Sequence, residues 1–337
     1  MLKDGAYGDL SVLEFAKRKS TTQGNGPGET IPNGKKQLSI GLALGGGAAR
    51  GFAHIGVLRA LVRNGIKPDV IAGTSIGAVA GGLYAVNKLD EFEEWARSLT
   101  RRRIFGYLDF SLSGSGLIGG GRLASRLVEH TEGVLIEDLP LKLAAIATEI
   151  GTGHEIWLTR GRLSDALCAS YALPGIFPPA RIGGRWLMDG ALVNPVPVSA
   201  ARACGARLVI AVNLNSDNFG RGTVIQAHGS DEQDLMLPEE PPATGLRDRA
   251  ERILRRQFLG TPGKPGFSTV MVEAFYVMQD RITRARLAGD PPDVSVNPKL
   301  GNIGFFDFHR AEEAVRLGEE AVERTLEPIL EAMKVLS

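Results

Sequence analysis

The stretch 73–77, with the sequence GTSIG, constrains the fold of this chain more than any other. Residues 68–72 before it are apolar and β-branched, which predicts a buried strand, and residues 78–86 after it are small and apolar, which favours a closely packed helix. Strand, Gly-x-Ser-x-Gly and helix in this order are typical of a nucleophile elbow, with Ser75 as the candidate nucleophile. Gly73 and Gly77 would leave room for the sharp turn and supply backbone angles that other residues reach at a cost. The alternative is an ordinary Gly/Ser turn.

A glycine-rich loop at residues 45–51 follows the first predicted strand, 38–44, and precedes residues 52–61, which have helical periodicity. Such a loop presents backbone N–H groups at the positive end of a helix, and it therefore favours anions. Arg50 stands where a dinucleotide-binding fingerprint needs glycine, and the Gly-Lys-Ser/Thr of a phosphate loop is absent. An oxyanion hole is thus the favoured interpretation, and a nucleotide-binding loop is the weaker one.

The alternation of strands and helices predicts an α/β fold with a mainly parallel central sheet. The predicted strands are 38–44, 68–72, 141–149, 208–212 and 294–296. Residues 1–37 are polar and glycine-rich, which indicates a flexible N-terminal arm. Residues 38–337 form the predicted domain, and a variable polar insertion interrupts it at about 215–266.

Composition excludes several classes of protein. The net charge of +1 gives no support to a nucleic-acid partner. Two cysteines in apolar segments form neither a metal-binding spacing nor a disulfide framework, which fits a reducing compartment. No apolar run reaches the roughly 18 residues of a membrane span, and the N-terminus does not resemble a signal peptide. We therefore expect no cofactor and no metal, and a cytoplasmic location, with or without peripheral contact at the inner face of the membrane. The oligomeric state is open.

Three separated motifs together resemble those of the bacterial patatin-like phospholipases. They are the glycine loop 45–51, the elbow 73–77 and Asp189-Gly190-Ala191, in this order and spacing. Taken alone, Asp189-Gly190 is more typical of a hairpin turn. The likeness extends over roughly 38–335 through the blocks 54–58, 173–179 and 307–311. The resemblance implies a three-layer α/β sandwich, in which a mainly parallel sheet is flanked by helices, and a lipid acyl hydrolase.

The resemblance also implies a Ser–Asp dyad, with Ser75 as the nucleophile and Asp189 as its base. The oxyanion would be held by the N–H groups of the loop residues Gly46, Gly47 and Ala48, where alanine departs from the family's three glycines. Independently of the resemblance, Arg50 would either add positive potential or tie this loop to the next helix by a salt bridge. The tie is favoured, because an arginine after a glycine loop is more often structural than catalytic. The remaining residues of the implied motifs are Gly45, Gly51, Gly73, Gly77 and Gly190.

Several alternatives remain open at this level. An ordinary aspartate has a pKa of ~3.9, so Asp189 is a weak base unless burial raises that pKa. The order Ser75, Asp189, His309 formally allows a triad, although nothing around His309 resembles a catalytic loop. The predicted function is hydrolysis of acyl esters of phospholipids or lysophospholipids through an acyl-enzyme on Ser75. A catalytically weak lipid-binding or regulatory protein of the same fold is the alternative.

A basic amphipathic segment at about 245–259 is the candidate for peripheral membrane contact. Its apolar residues recur at helical spacing, and five arginines fill the positions between them. Anchoring to anionic lipid, packing of the apolar stripe on the domain, and a lid over Ser75 are the three interpretations.

Overall fold

The structure is a computed structural model, and it describes residues 38–100, 121–217, 260–261 and 264–337. The predicted N-terminal arm, most of the predicted insertion and the basic segment 245–259 lie outside the described residues. What the sequence predicts for these three segments therefore remains a prediction.

Within the residues that the structure describes, an eight-stranded sheet forms the centre of the fold, in the order β10-β7-β1-β2-β3-β6-β5, with β4 paired to β3. The strands are β1 Ile40–Leu44, β2 Val70–Thr74, β3 Lys142–Glu149, β4 Glu155–Leu158, β5 Ala180–Ile182, β6 Arg185–Asp189, β7 Leu208–Val212 and β10 Val294–Val296. A separate pair joins β8 Gly260–Thr261 to β9 Lys264–Pro265. From β10 to β3 the pairing is parallel, whereas β4, β5 and β6 pair antiparallel. The predicted α/β class with a mainly parallel sheet is confirmed.

Helices cover both faces of the sheet. They are α1 Ala53–Arg63, α2 Ile76–Ala85, α3 Leu89–Arg97, α4 Gly121–Thr131, α5 Leu163–Ser170, α6 Val198–Ala203, α7 Phe267–Gly289 and α8 Ala311–Leu336. Along β1, Leu42 and Leu44 pack with the core that includes residues of α1, α2 and α8, while Ala43 packs with residues of α6. Every residue of β1, β2 and β7 is buried, as is expected of parallel strands between two helical layers.

The register of three strands brings the ends of β2 and β6 together. Strand β2 pairs with β3 up to Thr74, which lies opposite Ile146. Beyond this point, β3 pairs with β6, and Asp189 lies opposite Ala147. Ser75 and Asp189 are therefore neighbours although 114 residues separate them.

The hairpin interpretation of Asp189-Gly190 is wrong. Asp189 is the last residue of β6, and a short 3-10 helix, Gly190–Leu192, follows it directly. A side chain on Gly190 would place its Cβ 2.3 Å from the Ile146 carbonyl oxygen, so the glycine is required by close approach to β3 rather than by a hairpin.

Candidate active site

Ser75 occupies a strained backbone position between β2 and α2. Its φ of 57° and ψ of −126° lie in a region that non-glycine residues rarely adopt. The Ser75 N–H donates to Ser170 Oγ at 2.9 Å, and the Ser170 hydroxyl donates to the Ile146 carbonyl at 2.6 Å. Ser170, at the end of α5, thereby links the elbow to β3.

The elbow glycines provide space rather than unusual backbone angles. A Cβ on Gly73 would lie 2.5 Å from the Ala78 Cα, and one on Gly77 would lie 2.2 Å from the Leu44 carbonyl oxygen. Neither glycine has a positive φ, so the expectation that they supply it is wrong. The glycine loop is packed as closely, because a Cβ on Gly51 would meet the Ile76 side chain at 2.1 Å.

The Ser75 hydroxyl donates to Asp189 Oδ2 at 2.6 Å. The other carboxylate oxygen, Oδ1, accepts the Ala191 N–H at 2.8 Å, which fixes the orientation of the carboxyl group. Asp189 is 2% exposed, and this burial raises its pKa to about 7. A carboxylate with this pKa is a much better proton acceptor near neutral pH than an ordinary aspartate.

In the described part of the chain, no histidine bonds to the Ser75 side chain, whose hydroxyl donates to Asp189 instead. His54 is fully buried, and its Nε2 lies 2.7 Å from the Gly45 carbonyl oxygen. Burial lowers the His54 pKa to about 4, so the ring is neutral and donates this bond. His54 thus holds the start of the glycine loop.

The glycine loop offers two backbone donors, not the three that the resemblance implied. The Gly46 N–H donates to the Pro195 carbonyl at 3.0 Å, so it is not available to an oxyanion, and this expectation is wrong. Within the described residues, the N–H groups of Gly47 and Ala48 make no hydrogen bond, and both residues line the pocket at Ser75. Ala48 adopts φ 46°, so alanine takes the left-handed conformation at this position.

Arg50 ties the loop to other segments, but not by the predicted salt bridge. It is 4% exposed, and its Nε donates to the Ile303 carbonyl at 2.7 Å while Nη1 donates to Asn215 Oδ1 at 3.2 Å. The guanidinium also lies 5.2 Å from the ring centre of Tyr276. The salt-bridge expectation is therefore wrong, since these partners are a carbonyl, an amide and an aromatic ring.

A largely apolar pocket opens beside Ser75 and Asp189 and encloses about 1070 Å³ of empty space, its mouth included. Aliphatic and aromatic side chains form most of its wall, including Phe52, Val79, Leu83, Leu173, Phe275 and Phe305. Charged or titratable side chains contribute as well, namely Lys88, Glu91, Arg126 and His130. This apolar lining suits an acyl chain.

Two residues near Ser75 were not found by sequence reasoning. Ser170 is the last residue of α5, and Gln279 lies within α7. Gln279 is 2% exposed and lines the pocket. Neither residue belongs to one of the motifs, so the local sequence provides no signal for either.

Comparison with known proteins gives concordant matches. A family model described as patatin-like phospholipase matches residues 42–202. An uncharacterized NTE family protein of Mycobacterium tuberculosis is 33% identical, and the match covers 87% of this chain and 93% of that protein. A patatin-like phospholipase domain-containing protein of Caenorhabditis elegans is 40% identical over 187 residues, 53% of this chain and 14% of that protein.

In the described residues, no helix is long and apolar enough to span a bilayer.

Proposed function

The chain belongs to the patatin-like phospholipase family, and from this premise we propose that it hydrolyses acyl esters of phospholipids or lysophospholipids through an acyl-enzyme on Ser75. Family membership by itself implies lipid acyl hydrolase activity. The observation that carries the finer proposal is the 2.6 Å hydrogen bond from the Ser75 hydroxyl to a buried carboxylate of Asp189. The apolar pocket beside this pair supports an acyl substrate.

Asp189 acts as the base in the proposed first step. It accepts the Ser75 hydroxyl proton as the serine oxygen attacks the ester carbonyl carbon. The carbonyl oxygen becomes an oxyanion, and the N–H groups of Gly47 and Ala48 stabilise it without reorganisation. When the tetrahedral intermediate collapses, the bond to the alcohol oxygen breaks and the protonated Asp189 returns its proton to that oxygen. The acyl group is then esterified to Ser75.

Water completes the reaction. Asp189, again ionised, accepts a proton from the water that attacks the acyl-enzyme, and Ser75 leaves with that proton as the carboxylic acid is released. Each residue thus returns to its starting state. The same carboxyl group serves as base and acid in both halves.

The dyad is tested with purified Ser75→Ala and Asp189→Asn variants. We expect both to lose at least about 10³-fold in hydrolysis of a p-nitrophenyl acyl ester, because each removes an essential part of nucleophile activation. A fluorophosphonate probe should label the wild type and not Ser75→Ala. Ser164→Ala, which removes another buried hydroxyl, is the control and should be labelled like the wild type.

Retained activity in Asp189→Asn would refute the dyad. Absence of both labelling and hydrolysis in a folded wild type would favour the lipid-binding or regulatory alternative.

We further propose that the basic segment 245–259 contacts anionic membranes. Each arginine near a charged surface contributes about 1 kcal/mol of attraction. The triple variant Arg249→Glu, Arg252→Glu and Arg256→Glu should co-sediment less with vesicles containing anionic lipid, whereas binding of the wild type should weaken with added salt. Equal, salt-insensitive binding of both proteins would exclude this segment as the anchor.

A further inference from the structure

The pocket beside Ser75 follows one face of α2. Ile76, Val79 and Leu83 line it, and their spacing of three and four residues places them on a single face of the helix. Ser75 lies directly before α2, and Lys88, which also lines the pocket, lies just beyond its end at Ala85. The helix has ten residues and is therefore about 15 Å long. The pocket thus extends about 15 Å from the nucleophile towards Lys88.

Aromatic rings form much of the wall between these two ends. The Phe52 ring packs with centroid distances of 5.8 Å to Phe92, 6.2 Å to Trp95 and 6.0 Å to Phe308, and all four rings line the pocket. Such a wall favours hydrocarbon over the glycerol and phosphate parts of a lipid, whose polar atoms would lose water without gaining partners. The acyl chain is therefore the part of the substrate that suits the space along α2.

Polar side chains end this apolar lining beyond α2. The Lys88 ammonium donates to Glu91 Oε1 at 2.6 Å, and the two side chains are 41% and 39% exposed. Arg126 and His130, one turn apart on α4, line the pocket as well, and Arg126 is exposed. The bond from Lys88 holds the pKa of Glu91 below its usual range, and His130 adds a weaker effect, which places His130 at the same end. A methylene group that reached these residues would meet ionised groups and solvent, so it would gain nothing from burial.

The length of the apolar lining corresponds to a definite number of carbons, and this step rests on the proposed function. Carbon–carbon bonds of ~1.5 Å in an extended zigzag advance the chain by about 1.25 Å each, so about 12 carbons span the length of α2.

We propose that α2, together with the ion pair of Lys88 and Glu91 at its end, determines the acyl-length specificity of the site. Each carbon up to about 12 adds apolar contact along α2 and strengthens binding, whereas carbons beyond that length add none. The preferred substrates are then esters of long-chain rather than short-chain fatty acids.

The experiment measures the rate at which Ser75 is modified by n-alkyl fluorophosphonates of about 4 to 18 carbons, each used as a monomer in solution. The alkyl chain of the probe takes the place of the acyl chain, and the readout is kinact/KI at each length. The double variant Lys88→Met, Glu91→Met removes the ion pair without changing the net charge and extends the apolar lining. Its matched control is Arg162→Met, Asp165→Met, which removes an ion pair of the same spacing outside the pocket wall.

We expect kinact/KI of the wild type to rise by about twofold to fourfold per carbon up to about 12 carbons and to stay constant beyond that length. In Lys88→Met, Glu91→Met the rise should continue for about two to four further carbons, with an unchanged rate for the shortest probe, whereas the control should behave like the wild type. A wild-type rise without a break, or a break at the same length in both double variants, would overturn the inference.

Val79→Phe tests whether the chain runs along α2. Val79 lies about 6 Å from Ser75 along the helix axis, so a phenyl ring there should close the pocket and stop the rise at about five carbons. Modification by the shortest probe verifies that this variant is folded and keeps a reactive serine. A break that stays at the wild-type length would show that the chain does not follow α2, and the inference would be wrong.

The wild type alone distinguishes this inference from the proposed function. Modification of Ser75 at a rate independent of chain length would overturn the length specificity and leave the serine nucleophile in place. A folded wild type that reacts with no probe would overturn both.

Discussion

In the proposed mechanism, the protonation state of Asp189 determines the pH dependence of hydrolysis, because only the ionised carboxylate accepts the Ser75 hydroxyl proton. Its pKa, raised to about 7 by burial, predicts that kcat/KM rises with pH, with a midpoint near 7, and levels off above it. An ordinary aspartate would place that midpoint near 4. The measurement is kcat/KM for a neutral ester between pH 5 and 9.

A histidine base would give a similar profile, so the control is His130→Gln, which changes a titratable residue of the pocket wall. The midpoint should be the same in this variant as in the wild type. A profile that becomes flat in His130→Gln would contradict the assignment of the midpoint to Asp189.

At the scale of single residues, the sequence predicts the site residues that belong to motifs. It does not predict hydrogen bonds between residues that come together only in the folded chain. Ser75 and Asp189 each belong to a motif, and the structure places their oxygens 2.6 Å apart. The supporting hydrogen bond from the Ser75 N–H to Ser170 Oγ joins positions 95 residues apart, and no local pattern indicates it. The Gly46 N–H was wrongly counted as a free donor, because its partner Pro195 follows the third motif and approaches the loop only in the folded chain.

At the scale of elements, the crossing of α1 and α8 depends on two glycines inside helices. A Cβ on Gly56 would lie 1.9 Å from the Val315 carbonyl oxygen, and one on Gly318 would lie 2.1 Å from the Ala53 carbonyl oxygen. Both contacts are with backbone, which cannot move aside as a side chain does. The two helices therefore pack with their backbones in close contact.

We predict that Gly56→Ala and Gly318→Ala each lower the free energy of unfolding by about 2 kcal/mol, because the overpacking penalty exceeds the ~1 kcal/mol gain in helix propensity. Gly289→Ala, at the end of α7, is the matched control, because its Cβ would meet nothing within 4 Å. Urea unfolding of the three variants measures the difference. Stability equal to wild type in Gly56→Ala and Gly318→Ala would show that the helices separate at no cost.

Elements with a strong local pattern were predicted closely. Strands β7 and β10 coincide with the predicted strands 208–212 and 294–296. Strand β5 was not predicted. It has only three residues, none of them buried, and it exists because it pairs with β6. Its hydrogen bonds, rather than its own sequence, define it.

At the scale of the whole molecule, two buried titratable groups oppose each other in the dependence of stability on pH. His54 has a pKa lowered from 6.5 to about 4, so the unfolded chain binds its proton first and stability falls as pH drops from about 6.5 to 4. Asp189 has a pKa raised from 3.8 to about 7, so it contributes stability below pH 3.8 that is lost as pH rises towards 7. Over the shared range, the two contributions change in opposite directions.

Substitution of either residue should therefore leave the other residue's contribution to the pH dependence of stability unopposed. Asp189→Asn removes the penalty of keeping a carboxyl group buried above its unfolded pKa, so its free energy of unfolding should exceed that of wild type at pH 7.5, by up to about 4 kcal/mol, and the difference should shrink towards pH 4. What remains in this variant is the His54 contribution, which makes it lose stability steeply between pH 6.5 and 4. His54→Gln retains an N–H donor for the Gly45 carbonyl and should gain stability, relative to wild type, as pH falls over the same range.

Urea unfolding at four pH values from 4.5 to 7.5 measures all three proteins. The difference in free energy of unfolding between Asp189→Asn and wild type is therefore expected to change with pH. A difference that stays constant would mean that Asp189 has the same pKa in the folded and unfolded protein. The raised pKa on which its proposed role as a base depends would then be absent.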